Sequence, residues 1–470
     1  VTEAALEREK QVVKNEKRQR VDNAPYGYTD EIIRKNLYPE GHPYSWTVIG
    51  ALPDLQAATI DDVKEFYAKY YGAKNGSLVI AGDIDIEETK ELVKKWFGEI
   101  PSGPDVEPLE PMPVTLENSK SLYFEDNFAK LPELRMVLPT VEEYNTDVYP
   151  LQVLGQLLSG SKNAPLYQVI VEEKKLAPNI SSYQSSSEIA GEFVFRARAN
   201  AGTDLDDLKS AIEEGLTRFE TNGVSEKDLK RIKAELETGL YQGISTVLNK
   251  AFQLVQDNEF NGDPSYITKA AKLTEAVTSE DVVSVYNKYI KDKPYVLTSF
   301  VPKGKVELAA GNSEIAPVVE EEIKENVAKE IVDTQEEIAK TPSAFDRSIE
   351  PEAGASPDLN IPASWKTEMG NGMMVYGIEQ NEIPTVNFSL IIEGGHLLDL
   401  VDVAVALFVE FGLDENVDVK AQDVRDKINL ATPNLPEGID LPLVGKTDPD
   451  SEPILTIMLS GPLSIGELTT

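Results

Sequence analysis

Two histidines, His42 and His396, are the only imidazoles in these 470 residues, and cysteine is absent. Thiolate nucleophiles, disulfides and cysteine-held zinc are therefore excluded. The two histidines stand too far apart in the chain for a local pair such as H-E-x-x-H. Carboxylates are what remain, and one pair has a useful spacing. Glu9 and Glu16 lie in the run Glu9-Lys-Gln-Val-Val-Lys-Asn-Glu16, which has helical character. Residues seven apart on an α-helix differ by about 20°, so both acids project from one face. Two carboxylates so placed can serve a cation, or they can be part of an ordinary solvated charged face.

The other candidates are weaker. His42 sits in Gly41-His42-Pro43-Tyr44, a loop setting in which a lone histidine is more often a hydrogen-bonded structural residue than a ligand. His396 follows Gly394-Gly395 at the end of a strand-like run, where a structural role is expected. The glycines show neither G-x-G-x-x-G nor phosphate-loop spacing, so a nucleotide enzyme has no support. A formal net charge of −36 argues against nucleic acid, whose phosphates need clustered Lys and Arg. No run approaches the ~18 apolar residues of a membrane-spanning helix.

The elements that must position these residues come in a repeat. Val1-Thr2-Glu3-x-x-Leu6-x-Arg8-x-Lys10 recurs as Val224-Ser225-Glu226-x-x-Leu229-x-Arg231-x-Lys233, at an offset of 223. Gly41-His42-Pro43 meets Gly262-Asp263-Pro264 at 221, and Thr59-x-x-Asp62-Val63-x-x-x-Tyr67-x-Lys69-Tyr70 meets Thr278-x-x-Asp281-Val282-x-x-x-Tyr286-x-Lys288-Tyr289 at 219. Three matches in one order imply two copies of one domain. The second copy starts near Ser121, after the Pro-rich stretch Pro101 to Pro113. The first would then start about 100 residues before Val1, so the chain reads as a fragment that enters the first copy in its second half. In the second copy Glu9 aligns with Ile232 and Glu16 with Gly239. The helix is kept and both carboxylates are lost, as expected of a site needed in only one copy.

Helices are expected from Glu3 to Arg20, from Thr59 as a cap, from Glu87 to Phe97, from Asp147 to Leu158, and from Leu205, Ser225 and Ser279. Strands are expected at Ser77–Gly82 and Glu192–Ala197. The mixture implies an α+β domain with helices packed on mainly antiparallel sheets. Four stretches follow: 1–104 as the second half of a first domain, 117–304 as a second domain, 305–360 as an acidic linker that is partly helical from Val318 to Lys340, and 361–470 as the start of a third domain. That third stretch carries the hairpin signal Asn371-Gly372 and a strand-like run from Val386 to Ile392.

In order along the chain, these landmarks resemble the pitrilysin/insulinase metallopeptidases. The matching residues are Glu9 through Gln19, Asn23-x-Pro25-Tyr26-Gly27, Tyr38-Pro-x-Gly41-His42-Pro43-Tyr44 and Asn75-x-x-Leu78-x-x-x-Gly82-Asp83. Trp96-Phe97-Gly98-x-Ile100-Pro101, Leu157-Leu158-Ser159-Gly160 with Pro165-Leu166-Tyr167, and Glu393-Gly394-Gly395-His396-Leu397-Leu398-Asp399 continue the series. The resemblance covers most of residues 1–400 and weakens from Leu400 onward.

It implies clamshell halves joined by a linker and a zinc endopeptidase acting on peptides or unfolded polypeptide segments. Its inverted motif H-x-x-E-H would lie about 60 residues before Val1. By the same resemblance Glu16 is the distant zinc ligand and Glu9 its supporting catalytic-site carboxylate. As given, the chain lacks the zinc histidines and general base, so it is expected to be inactive and to bind zinc poorly. A homodimer or a paired subunit of the same family is a possible assembly, and a bacterial periplasmic or envelope location is favoured by resemblance alone. The competing reading is a non-catalytic scaffold or peptide-binding subunit of the same family.

Overall fold

The computed structural model describes residues 2–318, 342–350, 354, 362–379, 386 and 389. The chain divides into two units, Val1–Pro384 and Thr385–Thr470, and the elements that follow all lie in the first. His396, the helix expected within 318–340 and nearly all of the strand expected at 386–392 fall outside the described residues.

The first copy is helical: α1 (Glu3–Lys17), α2 (Thr29–Leu37), α3 (Leu52–Ala57), α4 (Ile60–Tyr70) and α5 (Ile86–Phe97). The second copy opens with β1 (Lys120–Asp126) and β2 (Glu133–Thr140), followed by α6 (Val148–Ser159) and the single turn α7 (Pro165–Tyr167). Next come β3 (Ser181–Ser186), β4 (Gly191–Arg198), α8 (Leu205–Asn222), α9 (Glu226–Gly243) and α10 (Val247–Asn261). The copy ends with α11 (Tyr266–Ala276), α12 (Ser279–Tyr289), β5 (Val296–Pro302) and β6 (Glu314–Ile315). A separate hairpin, β7 (Ser364–Glu368) and β8 (Met374–Ile378), turns at the expected Asn371-Gly372, where Gly372 takes φ 84°, a left-handed conformation that glycine adopts without Cβ strain.

Local chemistry repeats with the sequence. Thr2 caps α1 through Ala5 N–H, and Ser225 caps α9 through Asp228 N–H. Thr59 and Asp62 form a reciprocal capping box on α4, as Thr278 and Asp281 do on α12. Each box satisfies two orphan donors of its first turn. The expected helix Glu3–Arg20 is α1 continued by a wider π turn, Arg18–Asp22.

Six strands form one sheet in the order β3-β4-β2-β5-β1-β6. The β3–β4, β4–β2 and β2–β5 pairs are antiparallel; β5–β1 and β1–β6 are parallel. The sheet is thus mainly antiparallel, as expected, with a parallel edge. Alternation along each strand sends Leu134, Met136, Leu138, Phe193, Phe195 and Leu297 to one face, where α6, α8, α9 and α12 supply the main core. The opposite set, including Leu122, Val137, Val194, Val296 and Phe300, packs against Tyr28, Ile32, Ile33, Leu37 and Tyr38 around α2. The sheet of the second copy is therefore covered on its other face by the first. Helix α6 lies close on β3 because Gly155 has no side chain: a Cβ there would come within 2.8 Å of the Ser182 carbonyl.

Two stretches differ in secondary structure from expectation. The stretch from Lys305, which composition alone gives to the linker, still carries β6 paired to β1, and Ala310 and Ala316 are buried. The strand expected at 77–82 forms no ladder. Its counterpart β5 lies between β2 and β1, whereas no strand pairs with 77–82 among the described residues. Without neighbours the apolar run stays uncovered. Leu78 is 56% exposed where Leu297 is 0%, and Tyr67 is 59% exposed where Tyr286 is 3%. Composition identified the strand former, but a strand needs a partner for its backbone groups. Amides of Leu78 to Ala81 are expected to exchange with solvent within seconds to minutes, while those of Leu297 to Val301 are protected close to the global stability. Hydrogen exchange read by mass spectrometry checks this, and equal protection of the two segments would contradict the assignment.

Candidate functional site

The candidate carboxylates both lie on α1, two turns apart. Glu9 is exposed and makes no hydrogen bond or ion pair among the described residues. Glu16 is half-buried, and its Oε1 lies 3.1 Å from Arg20 Nη1, a guanidinium that is itself 77% exposed. An exposed i,i+4 pair of this kind is weak, worth about 0.3–0.5 kcal/mol, so it does not lock the carboxylate away from another cation.

What fixes this helix is the turn after Glu16. Lys17 is buried, and its Nζ donates to Asp22 Oδ1 at 2.8 Å, a contact from i to i+5 that the π turn brings within reach. Asp22 also accepts from Tyr28 Oη at 2.9 Å, and the Lys17 ammonium stands over the Tyr28 ring, 5.5 Å from its centroid. Tyr28 packs on Phe124 of β1 with ring centroids 5.4 Å apart. The end of α1 is thereby tied to the second copy's sheet.

Further ties follow in the same segment. Asp126 is buried and accepts from the backbone N–H of Tyr26 at 2.6 Å, Phe128 at 2.7 Å and Ala129 at 2.9 Å. Tyr26 takes φ 61° there, and its hydroxyl donates to the Leu131 carbonyl at 2.8 Å. Beside it, Glu133 is 1% exposed and accepts from Arg135 at 2.9 Å and from Arg196 and Arg198 at 3.0 Å each. Arg135 also reaches Asp30 of α2 at 3.2 Å, and the Arg198 guanidinium lies 4.2 Å from the Tyr26 ring centroid. Burial alone would push the Glu133 carboxyl up, but Arg135 and Arg196 outweigh it and hold the group below the usual carboxylate range. Next along β4, burial pushes the Glu192 carboxyl up, opposed by the hydrogen bond from Tyr38 Oη at 2.8 Å.

His42 has no nitrogen to spare. Its Nδ1 accepts from Tyr44 N–H at 2.9 Å, so its Nε2 carries the proton toward the Met112 carbonyl at 3.0 Å. It is buried and stacks on Tyr38 with centroids 4.6 Å apart. Its place is structural, as its loop setting implied.

No group of three or more His, Cys, Asp or Glu side chains converges as a metal site among the described residues. A protein zinc site takes three or four N, S or O ligands; the candidate pair on α1 offers two carboxylates, Glu9 and Glu16. The described residues thus do not by themselves fit a zinc ion. Sequence reasoning singles out Glu9 and Glu16 as candidates, and it missed the Lys17–Asp22–Tyr28 knot and the Glu133 cluster. The cluster had a signal: Glu133 and Arg135, and Arg196 and Arg198, are spaced by two on strands, which puts each pair on one face.

Glu133→Gln would leave three guanidiniums without their shared counter-charge at a buried position and is expected to cost about 2–4 kcal/mol of stability. The same group predicts an acid limb. Its carboxyl titrates lower in the folded chain than in the unfolded one, where it titrates near 4.3. Its contribution is therefore complete above that value and is lost as pH falls below it, toward the folded pKa. Thermal melts of wild type and Glu133→Gln from pH 7 to pH 3 check both: the difference in Tm between them should shrink as pH falls through this window.

Comparison with known proteins agrees with this architecture. The profile of the peptidase M16 inactive domain matches residues 57–236. A zinc protease of Helicobacter pylori, PqqE, is 26% identical over 288 residues, which make up 60% of this chain and 64% of that protein. The probable mitochondrial-processing peptidase subunit beta of Arabidopsis thaliana is 24% identical over 291 residues, covering 59% of this chain and 54% of that protein. The chain thus spans less than two thirds of the length of both relatives. A solved structure of a Helicobacter pylori protease superposes with a TM-score of 0.57 at 24% identity, over 64% of this chain and 73% of that one.

Proposed function

From this chain's membership of the M16 (pitrilysin/insulinase) peptidase family we infer that it is part of a zinc endopeptidase that hydrolyses peptides or unfolded protein segments. The observation that carries the reading is the asymmetry between the copies. Glu9 and Glu16 stand on α1 at an accessible face, whereas their counterparts on α9 are Ile232, fully buried, and Gly239. One copy has kept a pair of acids that the helix itself does not need.

In this proposal Glu16 supplies one zinc ligand and Glu9 supports it, while the histidines and the general base come from residues outside this sequence. Zinc in such a family activates a water for attack on the peptide carbonyl; the residues of this chain hold α1 in place. The domain division is part of the same proposal: 1–104 as the second half of a first M16-type domain, 117–304 continued to Val318 as a second, a linker to 360, and the start of a third at 361–470. A peptide or unfolded chain is the proposed substrate, and a homodimer or a paired subunit the proposed assembly. An envelope location rests on resemblance alone.

A second reading, a non-catalytic scaffold or peptide-binding subunit, is favoured by the match to the inactive domain of the family. The two differ in what the gene encodes. About 110 codons upstream of Val1 should contain H-x-x-E-H near 60 residues before it, and the 470-residue chain alone should cleave no unfolded peptide with or without added zinc. A full half-domain upstream without that motif, or hydrolysis by the chain alone, would overturn the reading.

A further inference from the structure

The linker comes back to the first copy. Past the end of α5, Glu99 receives three donors from residues more than 240 positions later: Ser343 Oγ at 2.7 Å, the Ala344 backbone N–H at 2.6 Å and Arg347 Nη2 at 3.0 Å. Arg347 Nη1 also donates to the Trp96 carbonyl at 3.0 Å, and its Nε reaches Ser343 Oγ at 3.1 Å. The last carbonyls of a helix have no partner within it and favour a cation, so Arg347 acts as a C-cap supplied from another part of the chain. Phe345 stands edge-on to Trp96 with centroids 4.7 Å apart and an interplanar angle of 85°. Arg347 also lies over the Phe345 ring, 4.6 Å from its centroid. Three different interactions thus converge on six residues: a carboxylate accepting several donors, a capped helix end and an aromatic pair.

We propose that 343–348 is an intramolecular docking motif, Ser-x-Phe-x-Arg, and that the C-terminal end of α5, through Trp96 and Glu99, is its receptor. A solvated linker has no need of such a set. The motif's chemistry fits the receptor position by position: a hydroxyl and a backbone N–H on the carboxylate, a ring on the indole, a guanidinium on both the carboxylate and the helix end. Docking fixes 343–348, which lie between the second copy and the β7–β8 hairpin in chain order, on the end of α5. The clasp involves neither zinc nor α1, and it stands whether or not the protein is a peptidase.

Trypsin reads the clasp directly, because cleavage after Arg347 requires its side chain to leave Glu99 and Trp96. In the full chain, cleavage after Arg347 is followed by mass spectrometry against cleavage after Lys340 as the reference rate. Glu99→Gln, a change at a partly exposed side chain past the end of α5, should raise the ratio at least about fivefold, because proteolysis of a locally opened segment tracks its open population. Excess free peptide 341–350 added to the wild-type chain should raise it in the same direction by competing for the receptor, and the same peptide carrying Phe345→Ala should not. An unchanged ratio in Glu99→Gln, or no competition by the wild-type peptide, would overturn the proposal.

Discussion

A sheet with two apolar faces must have both covered, and here the two covers come from different copies of the repeat. Helices α6, α8, α9 and α12 close one face of the six-stranded sheet with the second copy's own residues. The other face is closed by the segment from Val21 to Tyr44, with α2 at its centre, which belongs to the first copy. At about 25 cal/mol per Å² of apolar area removed from water, this second cover is a substantial stabilising contact. Its position also has a consequence for chemistry. The same segment continues directly from α1, so the burial that completes the sheet also fixes the helix that carries Glu16.

Polar contacts around that cover set its register. Apolar packing alone tolerates sliding, whereas buried charges and backbone donors do not. Asp126 takes Tyr26 N–H, Glu133 gathers three arginines of which one reaches Asp30, and Lys17 meets Asp22 beneath Tyr28. Buried ion pairs of this sort are weak evidence for net stability, since desolvation offsets much of their Coulomb energy. Those that cross between the copies, Tyr26 N–H on Asp126 and Asp30 on Arg135, are satisfied only when the segment leading into α2 sits in one place on the sheet.

Much of this was legible from residue order. The repeat offsets located α1 and α9, α4 and α12, and the caps Thr59 and Thr278 form the same capping box in both copies. Helices with strong periodicity and polar caps were readable because their hydrogen bonds are internal to the segment. The strand at 77–82 was not, because a strand is completed by residues far away in sequence. The strand β6 was hidden for a related reason: it is two residues long and is defined only by its pairing with β1. Of the site, the shared face of Glu9 and Glu16 follows from helix geometry, while the knot beneath Glu16 depends on a π turn that no periodicity announces. The clasp at Glu99 joins residues too distant for any local pattern to reveal.

The central claim is that Glu16 is the carboxylate that α1 presents to a metal, while Arg20 and Glu9 are its neighbours. It is tested most directly by the zinc content of the complete gene product, measured by atomic emission after exhaustive dialysis, for wild type, Glu16→Gln and Arg20→Gln. The account predicts about one zinc per chain in wild type and in Arg20→Gln, and a fall of about tenfold or more in zinc affinity in Glu16→Gln, with the melting profile unchanged in metal-free buffer. Equal zinc retention in wild type and Glu16→Gln would contradict it.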